Sequence, residues 1–359
     1  MDKIASKFGA LAIVAGALLF TGAGCISFSS GGTASAGADG GVYKTINKGD
    51  AWLPKVAIPT TTGEKKAISN VNVTTIVQDP EDPNALYIGT TDNGMYYTYD
   101  GGESWMQPAQ LSRGRIPSIA IDSKDKCTVY AAVENKLLKS DDCSRTWTVT
   151  YLDARLDKIT SSVAVDFYNP KVIWVANNSG DLLRSTDGGA SWTNVRSFQN
   201  PIMKVVMNAA DSRKLYVATK AQGVWRTDDG GTSWADMSEA YKDFSGSKDF
   251  FDMAAGTSDA STLIIASKYG LIRSTDGGVK WEPVELLTPA GTTLIYSIAI
   301  DPKDTNNIYY GTSTTFYRSP NGGVNWIPKK LPSTRTATAL LVDRTNQNVL
   351  YLGVTRFKQ

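Results

Sequence analysis

One short motif recurs seven times along this chain of 359 residues, and it constrains the fold more than any other feature. Each copy ends at a tryptophan, with Ser or Thr, Asp or Asn, and usually Gly at fixed positions before it. Successive tryptophans lie 42 to 53 residues apart, the length of a four-stranded antiparallel unit. The copies are TINKGDAW ending at Trp52, TYDGGESW at Trp105, SDDCSRTW at Trp147, STDGGASW at Trp192, TDDGGTSW at Trp234, STDGGVKW at Trp281 and SPNGGVNW at Trp326.

A second shared pattern precedes the motif: an alternating strand, a polar turn and an apolar strand. Examples are TTIVQDPEDPNALYIGT at 74–90, SIAIDPKDTNNIYYGT at 297–312 and ALLVDRTNQNVLYLGV at 339–354. Together the two patterns predict four strands per repeat, A to D, with the motif between C and D. The sequence therefore predicts an all-β fold, a seven-bladed β-propeller of four-stranded antiparallel blades.

The two ends of the sequence carry complementary halves of one repeat. DGGVYKTINKGDAW supplies strands C and D, and the final segment, ending VLYLGVTRFKQ, supplies strands A and B. We expect the N-terminal strands to complete the C-terminal blade, with strand C over 41–46 pairing with strand B over 349–354. Such pairing protects sheet edges that an open array would expose.

The motif resembles the Asp-box, or BNR repeat, Ser/Thr-x-Asp/Asn-x-Gly-x-x-Trp. The Asp or Asn can accept hydrogen bonds from N–H groups of the turn, the Gly permits a positive φ, and the Trp can wedge between elements. We interpret these residues as structural: Asn47 and Trp52, Asp100 and Trp105, Asp142 and Trp147, Asp187 and Trp192, Asp229 and Trp234, Asp276 and Trp281, and Asn321 and Trp326.

Asp-box propellers have several functions. In blade number, size and N-terminus the chain resembles the photosystem II stability and assembly factor family of lipoprotein propellers, and more distantly the xyloglucanases and sialidases. This resemblance implies a non-enzymatic, extracytoplasmic binding scaffold or assembly factor that recognises a protein partner through the face opposite the Asp-boxes. The alternative is a glycan-directed propeller, either carbohydrate-binding or a glycoside hydrolase of the sialidase or xyloglucanase type, so enzymatic activity stays open.

The N-terminus has the pattern of a secretory signal peptide: Lys3 and Lys7, an apolar run from Phe8 to Phe20, and small residues up to Cys25. The small residues before the cysteine resemble a bacterial lipobox, although Gly22 stands where that family usually has an aliphatic residue. We expect a signal peptide over 1–24, a lipidated Cys25 with a tether over 25–40, and the propeller over 41–359. The protein would then be exported and anchored on the extracytoplasmic side of a membrane. An ordinary signal peptide cleaved within 22–37 is the alternative.

Two further cysteines form a natural pair. Cys127 opens strand B and Cys143 ends strand C of the same repeat, and these strands are antiparallel neighbours. A disulfide is sterically plausible there, and two free thiols are the alternative.

The composition excludes several kinds of chemistry. The chain contains no histidine, which removes His general bases, His metal ligands and Ser-His or Cys-His nucleophiles. Its net charge of +2 does not indicate a nucleic-acid surface. We expect no cofactor, no metal site and a monomer that meets the membrane through its lipid anchor alone.

Two sets of residues are candidates for function. A glycoside hydrolase needs two carboxylates about 5 to 10 Å apart, for which Asp249 and Asp252 are the local candidates. Arg115 lies in a Gly-Arg-Ile-Pro string that resembles a sialidase motif. The ordinary interpretation of both aspartates is that they are solvated turn residues. A binding surface on the face opposite the Asp-boxes would draw on aromatic and charged loop residues, namely Arg113, Arg115, Lys220, Tyr241, Lys248, Phe250, Lys268 and Tyr269.

Overall fold

The computed structural model describes residues 39–357. The described part of the chain begins with β1 (Gly41–Thr45) and β2 (Leu53–Lys55), followed by a small hairpin of β3 (Ala57–Ile58) and β4 (Lys66–Ala67). Blade 1 contains β5 (Val73–Gln78), β6 (Leu86–Thr90) and β7 (Met95–Thr98). Blade 2 contains β8 (Ile119–Ile121), β9 (Val129–Val133), β10 (Lys136–Ser140) and β11 (Thr148–Leu152). Blade 3 contains β12 (Thr160–Val165), β13 (Ile173–Asn177), β14 (Asp181–Ser185) and β15 (Thr193–Ser197).

The remaining blades repeat this order. Blade 4 contains β16 (Ile202–Met207), β17 (Leu215–Thr219), β18 (Gly223–Thr227) and β19 (Ala235–Asp236). Blade 5 contains β20 (Phe250–Ala255), β21 (Leu263–Ser267), β22 (Gly270–Ser274) and β23 (Glu282–Val284), and blade 6 contains β24 (Ser297–Ile300), β25 (Ile308–Gly311), β26 (Thr315–Ser319) and β27 (Ile327–Lys330). The last strands are β28 (Thr336–Val342) and β29 (Leu350–Thr355). Within the described residues, two short 3-10 helices span Ala109–Leu111 and Ser238–Tyr241.

Blade 7 is built from both ends of the described chain. Its strand order is β2-β1-β29-β28, and β1 pairs antiparallel with β29 from Gly41 opposite Val354 to Thr45 opposite Leu350. The predicted composite blade is therefore confirmed. The predicted seven-bladed, all-β architecture is confirmed with it.

Blade 1 departs from the four-stranded pattern at its outer edge. Its sheet has three strands, and the fourth is reduced to a single bridge between Tyr97 and Met106. The backbone N–H of Trp105 instead donates to the carbonyl oxygen of Ala57 in β3, at 2.8 Å. The segment that would form the outer strand is thus partly hydrogen-bonded to the β3–β4 hairpin instead. Pro108, shortly after Met106, has no N–H to donate and cannot extend the strand.

The second strand of each blade carries most of the core. Strands β6, β13, β17, β21 and β29 are buried at every position. Both faces of such a strand pack against neighbouring blades, so it is mainly apolar rather than alternating, with a buried polar residue at its end. The outer strands, such as β11 and β15, are largely exposed. Apolar contact between blades therefore helps to hold the ring together.

Seven inner strands line the central axis, and each meets the next. The ring closes because β28 contacts β5. Hydrogen bonds also join the inner strands across the junctions: Ser118 Oγ accepts from Val163 N at 3.1 Å, and Ser162 Oγ accepts from Val205 N at 3.0 Å. At the closing junction Thr338 Oγ1 donates to the carbonyl oxygen of Val73 at 2.6 Å.

Asp39, the first described residue, ties the start of the domain to its last blade. Its carboxylate accepts hydrogen bonds from Thr334 N at 2.7 Å and from Arg335 Nε at 3.2 Å. Burial alone would raise the pKa of Asp39, but the hydrogen bonds from Thr334, Ser333 and Arg335 outweigh it and lower the pKa to about 2. Arg335 is itself buried, so this ion pair belongs to the closure of the ring.

Candidate functional site

The propeller has two faces of different construction. The A–B turns and the C–D turns, which contain the Asp-boxes, lie on one face, here called the box face. The B–C turns and the longer D–A connections lie on the opposite face, here called the loop face. Because connections that run over the surface carry most binding residues, the loop face is where a partner is expected.

Each Asp-box is a closed hydrogen-bonded turn. In blade 3, Ser185 Oγ donates to Asp187 Oδ1 at 2.8 Å and accepts the N–H of Gly189 at 2.8 Å, while Asp187 Oδ1 accepts the N–H of Ser191 at 2.9 Å. The two backbone N–H bonds recur in the other six boxes. Hydrogen bonds from Thr146 lower the pKa of Asp142 to about 2, and bonds from Ser191 likewise lower the pKa of Asp187.

The residue before the box joins one blade to the next. Six of the seven boxes follow a Lys or Arg. Arg184 Nη1 donates to the carbonyl oxygen of Gly230 in the next box at 2.7 Å. Equivalent bonds run from Arg226 to Gly277, from Arg273 to Gly322, from Arg318 to Lys48 and from Lys44 to Gly101, at 2.9 to 3.2 Å. Sequence analysis missed this role, although a Lys or Arg directly before most boxes could have indicated it.

The predicted binding residues fall into two groups on the loop face. Arg113 and Arg115 are exposed on the connection between blades 1 and 2. Lys220, Lys268 and Tyr269 lie around the 236–250 connection, which joins blades 4 and 5. The carbonyl oxygen of Lys220 accepts from Phe250 N at 3.3 Å, and Lys268 N donates to the carbonyl oxygen of Asp249 at 3.0 Å. Lys248, on the same connection, approaches Glu239 at 3.9 Å.

Two predicted binding residues are buried instead. Tyr241 is 1% exposed and Phe250 6%. The hydroxyl oxygen of Tyr241 accepts the backbone N–H of Val224 at 2.8 Å, and its ring meets Trp281 edge-on at 5.4 Å between centroids. Burial raises the pKa of the Tyr241 phenol. Both side chains support the connection from below, so neither can contact a partner directly.

The candidate catalytic residues are not arranged as a free pair of carboxylates. Asp252 Oδ1 accepts from Lys204 Nζ at 2.7 Å and its Oδ2 accepts the N–H of Ile298 at 3.0 Å. Both oxygens therefore bridge inner strands of neighbouring blades. Within residues 39–357 the Asp249 carboxylate receives no such bond. Arg115 lies at the distant junction between blades 1 and 2.

Cys127 and Cys143 are joined as a disulfide. The backbone N–H of Cys143 also donates to the carbonyl oxygen of Cys127 at 3.1 Å. Cys143 and Ser144 stand where five of the other boxes have two glycines, and their φ angles are 59° and 67°. The left-handed region costs a non-glycine residue roughly 1 to 2 kcal/mol, so the cross-link lies at a strained box.

Cys25, the predicted lipidation site, lies outside the described residues. Of the helices between Asp39 and Phe357, none is long and apolar enough to cross a membrane. In the same part of the chain, no group of His, Cys, Asp and Glu residues is arranged to hold a metal ion.

A pocket of about 370 Å³ opens on the loop face between blades 3 and 4. Arg196 and Phe198 line it from the end of blade 3, Trp225 lines it from β18, and Lys248 stands at its edge. Of these, sequence analysis had selected Lys248 alone. Trp225 could have been found by aligning the repeats, because the other six have Tyr, Leu or Ile at its position: Tyr43, Tyr96, Leu138, Leu183, Ile272 and Tyr317.

These features define a class: a ring of seven blades with an Asp-box turn on each, whose box face is bonded internally and whose loop face carries the long connections. A family model described as "Photosynthesis system II assembly factor YCF48" matches residues 118–247. Among curated proteins, the chain is 24% identical over 165 residues to a photosystem II assembly lipoprotein Ycf48 of Trichormus variabilis, covering 45% of this chain and 43% of that one. It is 26% identical over 149 residues to a xyloglucanase of Paenibacillus sp, covering 35% of this chain and 14% of the enzyme.

Solved structures share the fold. The structure titled "YCF48 bound to D1 peptide" superposes with a TM-score of 0.62 at 15% identity, covering 84% of this chain and 96% of that one. A GH74 enzyme of Niastella koreensis superposes with a TM-score of 0.63 at 18% identity, covering 79% of this chain and 51% of the enzyme. The aligned segments span less than half of either curated relative. The chain is thus similar to the assembly-factor propellers and to the xyloglucanase propellers.

Proposed function

We propose that this chain is a non-enzymatic, extracytoplasmic binding scaffold of the assembly-factor type, which recognises a protein partner through its loop face. The observation that carries the proposal is the 236–250 connection. It is one of the longest on that face and stands beside the exposed Lys220 and Lys268. Buried Tyr241 and Phe250 hold it in place. A supported loop with exposed cations suits recognition of a protein surface.

The comparisons support the same proposal. The matched segment, residues 118–247, covers blades 2 to 4 and most of this connection. The relative from Trichormus variabilis is a lipoprotein by name, in line with the expected lipidation of Cys25. The YCF48 structure was solved with a D1 peptide. By analogy, a polypeptide is the class of partner we propose here.

The hydrolase alternative has less support from the described residues. Retaining and inverting glycosidases both need a pair of carboxylates facing the sugar. Asp252 has its two oxygens engaged by Lys204 and by the Ile298 N–H. A catalytic role would require Asp252 to leave both partners.

Site-specific photo-crosslinking tests the proposal. A benzophenone amino acid would replace Lys220 or Lys268 on the loop face, in the full-length protein expressed in its own cells. Matched control positions are the exposed Lys126 and Lys171 on the box face. We expect a discrete protein adduct from the loop-face positions and none from the box-face positions. Adducts from the box face alone would overturn the proposed surface.

A second measurement addresses catalysis. The purified protein would be incubated with fluorogenic xyloglucan oligosaccharides and sialosides. We expect no turnover. Hydrolysis that disappears in an Asp252→Asn variant would overturn the non-enzymatic assignment and favour the glycoside hydrolase.

A further inference from the structure

In the pocket between blades 3 and 4, two aromatic rings fix the orientation of one cationic side chain, Arg196. The guanidinium carbon of Arg196 lies 4.5 Å from the ring centroid of Trp225 and 4.9 Å from that of Phe198. Phe198 is buried and in turn meets Trp234 edge-on at 5.3 Å. Guanidinium groups stack on aromatic faces and keep their N–H groups free at the edge. Arg196 is therefore positioned by its neighbours before any ligand arrives.

The hydrogen-bond donors of this arrangement are unused. In the part of the chain that the structure describes, the Arg196 side chain makes no hydrogen bond or ion pair. The indole Nε1–H of Trp225 is shielded from solvent and also has no acceptor there. By contrast, Arg184 and Arg226, one residue before their boxes, both donate to carbonyl oxygens. An ordered guanidinium without an acceptor favours an anionic group, which it can bind through two parallel hydrogen bonds.

The pocket also offers acceptors and amides. Asp236 uses one carboxylate oxygen, Oδ1, to accept the N–H of Ser238 at 2.8 Å, and Oδ2 accepts no hydrogen bond from residues 39–357. Gln199 and Gln222, whose side chains carry amides, also line the pocket, as does Lys248, a second cation whose Nζ lies 3.9 Å from Glu239. A simple carboxylate would use the cations and leave Asp236 and the amides without partners. A ligand with a carboxylate and several hydroxyls would use all of them.

From this combination we propose that the pocket binds one acidic sugar residue, a pyranose that carries a carboxylate. Arg196 and Lys248 would bind the carboxylate, while Asp236, Gln199 and Gln222 would bind hydroxyls. The volume of about 370 Å³ lies at the lower end of the range of small-molecule sites, about 300 to 1,000 Å³, and leaves room for a single sugar residue. This site goes beyond the protein-partner function proposed above and does not depend on it.

Ligand titration by calorimetry, with saturation-transfer NMR as a second readout, tests the site in the full-length protein in mild detergent. The probes are methyl glucuronide, N-acetylneuraminic acid, methyl glucoside and the peptide Gly-Glu-Gly. We expect saturable binding of at least one acidic sugar, and binding of methyl glucoside at least tenfold weaker. Equal binding of methyl glucoside and methyl glucuronide, or no saturable binding by any probe, would overturn the proposal. Tighter binding of the peptide would replace the sugar with a peptide carboxylate.

A matched pair of variants locates the binding. Arg196→Met keeps an unbranched side chain against Trp225 and removes the charge, and we expect it to weaken acidic-sugar binding at least tenfold. Arg213→Met is the control, because Arg213 is exposed on the box face and pairs with Asp211. Should Arg196→Met fail to fold, Asp236→Asn still tests the site. We expect it to weaken the binding of the acidic sugars and of methyl glucoside. Unchanged affinity in both pocket variants would contradict the assignment.

Discussion

Arg184 connects blade 3 to blade 4 by donating from Nη1 to the carbonyl oxygen of Gly230, at 2.7 Å. Its guanidinium also lies over the indole of Trp174, with 5.4 Å from the guanidinium carbon to the ring centroid. We expect Arg184→Met to lower the free energy of unfolding by about 1.5 to 3 kcal/mol, the usual contribution of a hydrogen bond to a charged group. Equilibrium unfolding in urea measures this.

The control for this prediction is Arg213→Met. Arg213 is mostly exposed, and its partner Asp211 lies two residues away on the same turn. We expect a change within about 0.5 kcal/mol, as for surface substitutions generally. Equal losses of unfolding free energy in the two variants would show that the contact between blades does not stabilise the fold.

The boxed aspartates should make the fold sensitive to acid. The pKa values of Asp142 and Asp229 are lowered to about 2 from 3.8 by hydrogen bonds from Thr146 and Ser233 and from the backbone, and the pKa of Asp187 is lowered as well. A carboxylate whose folded pKa lies below its unfolded value stabilises the fold above about pH 4 and loses that contribution as the pH falls toward 2.

We therefore expect replacement of Asp142, Asp187 and Asp229 together by Asn to flatten the pH dependence of the urea midpoint between pH 5 and pH 2. Asn keeps the acceptor for the turn, as the natural Asn47 and Asn321 show. The range from about pH 5 to about pH 2 spans the unfolded and the folded pKa values of these carboxylates.

The matched control for the box variants removes three exposed carboxylates outside this network, Asp141, Asp157 and Asp243. Its midpoint should keep the acid dependence of the unmodified protein. A control as flat as the box variant would attribute the acid sensitivity to net charge instead of the boxes.

Ring closure predicts a strong dependence on residues 38–52. Deleting them removes β1 and, with it, the pairing to β29, the Asp39 contacts and Trp52, whose ring meets Phe316 at 5.3 Å. The loss of a packed Trp alone costs about 3 to 5 kcal/mol, so we expect aggregation or a melting temperature lower by roughly 10 °C. Deletion of 26–37 should leave melting unchanged. Equal melting of the two truncations would refute the closure argument.

The cross-link in blade 2 should be present in exported protein and should contribute to stability. Closing a loop with a sequence separation of 16 residues stabilises a fold by about 3 kcal/mol in the chain-entropy model. Non-reducing peptide mapping should recover Cys127 and Cys143 in one cross-linked pair. Reductant should lower the urea midpoint of the unmodified protein and leave a Cys127→Ser, Cys143→Ser variant unaffected. Recovery of both cysteines as alkylatable thiols would contradict the predicted disulfide.

Lipidation at Cys25 is predicted from the small residues that precede it. Metabolic labelling with an alkynyl fatty acid should label the unmodified chain and the Cys127→Ser, Cys143→Ser variant alike. The label should be lost in Cys25→Ser. Persistent label in Cys25→Ser would contradict acylation at Cys25, and no label on the unmodified chain would favour an ordinary signal peptide.

The candidate site was harder to predict than the fold because surface loops have no repeating pattern. Lys220 and Lys268 are on the loop face as expected, because their place between strands B and C fixes the face. Tyr241 and Phe250 belong to the same connection, yet they are buried. An aromatic loop residue can either anchor its loop or face a partner, and the sequence does not distinguish the two.

The sequence by itself determined the architecture, because each of the seven motifs marks the same hairpin and the two end segments complete one blade. Local hydrogen bonding in the box needs residues within six positions of one another, so periodicity is sufficient to find it. The tertiary structure alone decided what lies between blades: the bond from Arg184 to Gly230, the engagement of Asp252 by Lys204, and the stacking of Arg196 on Trp225. These contacts join residues 29 to 48 positions apart on separate sheets. They depend on the rotation of one blade against the next. The sequence marks single participants, such as the cations before the boxes, but not the partners that this rotation brings to them.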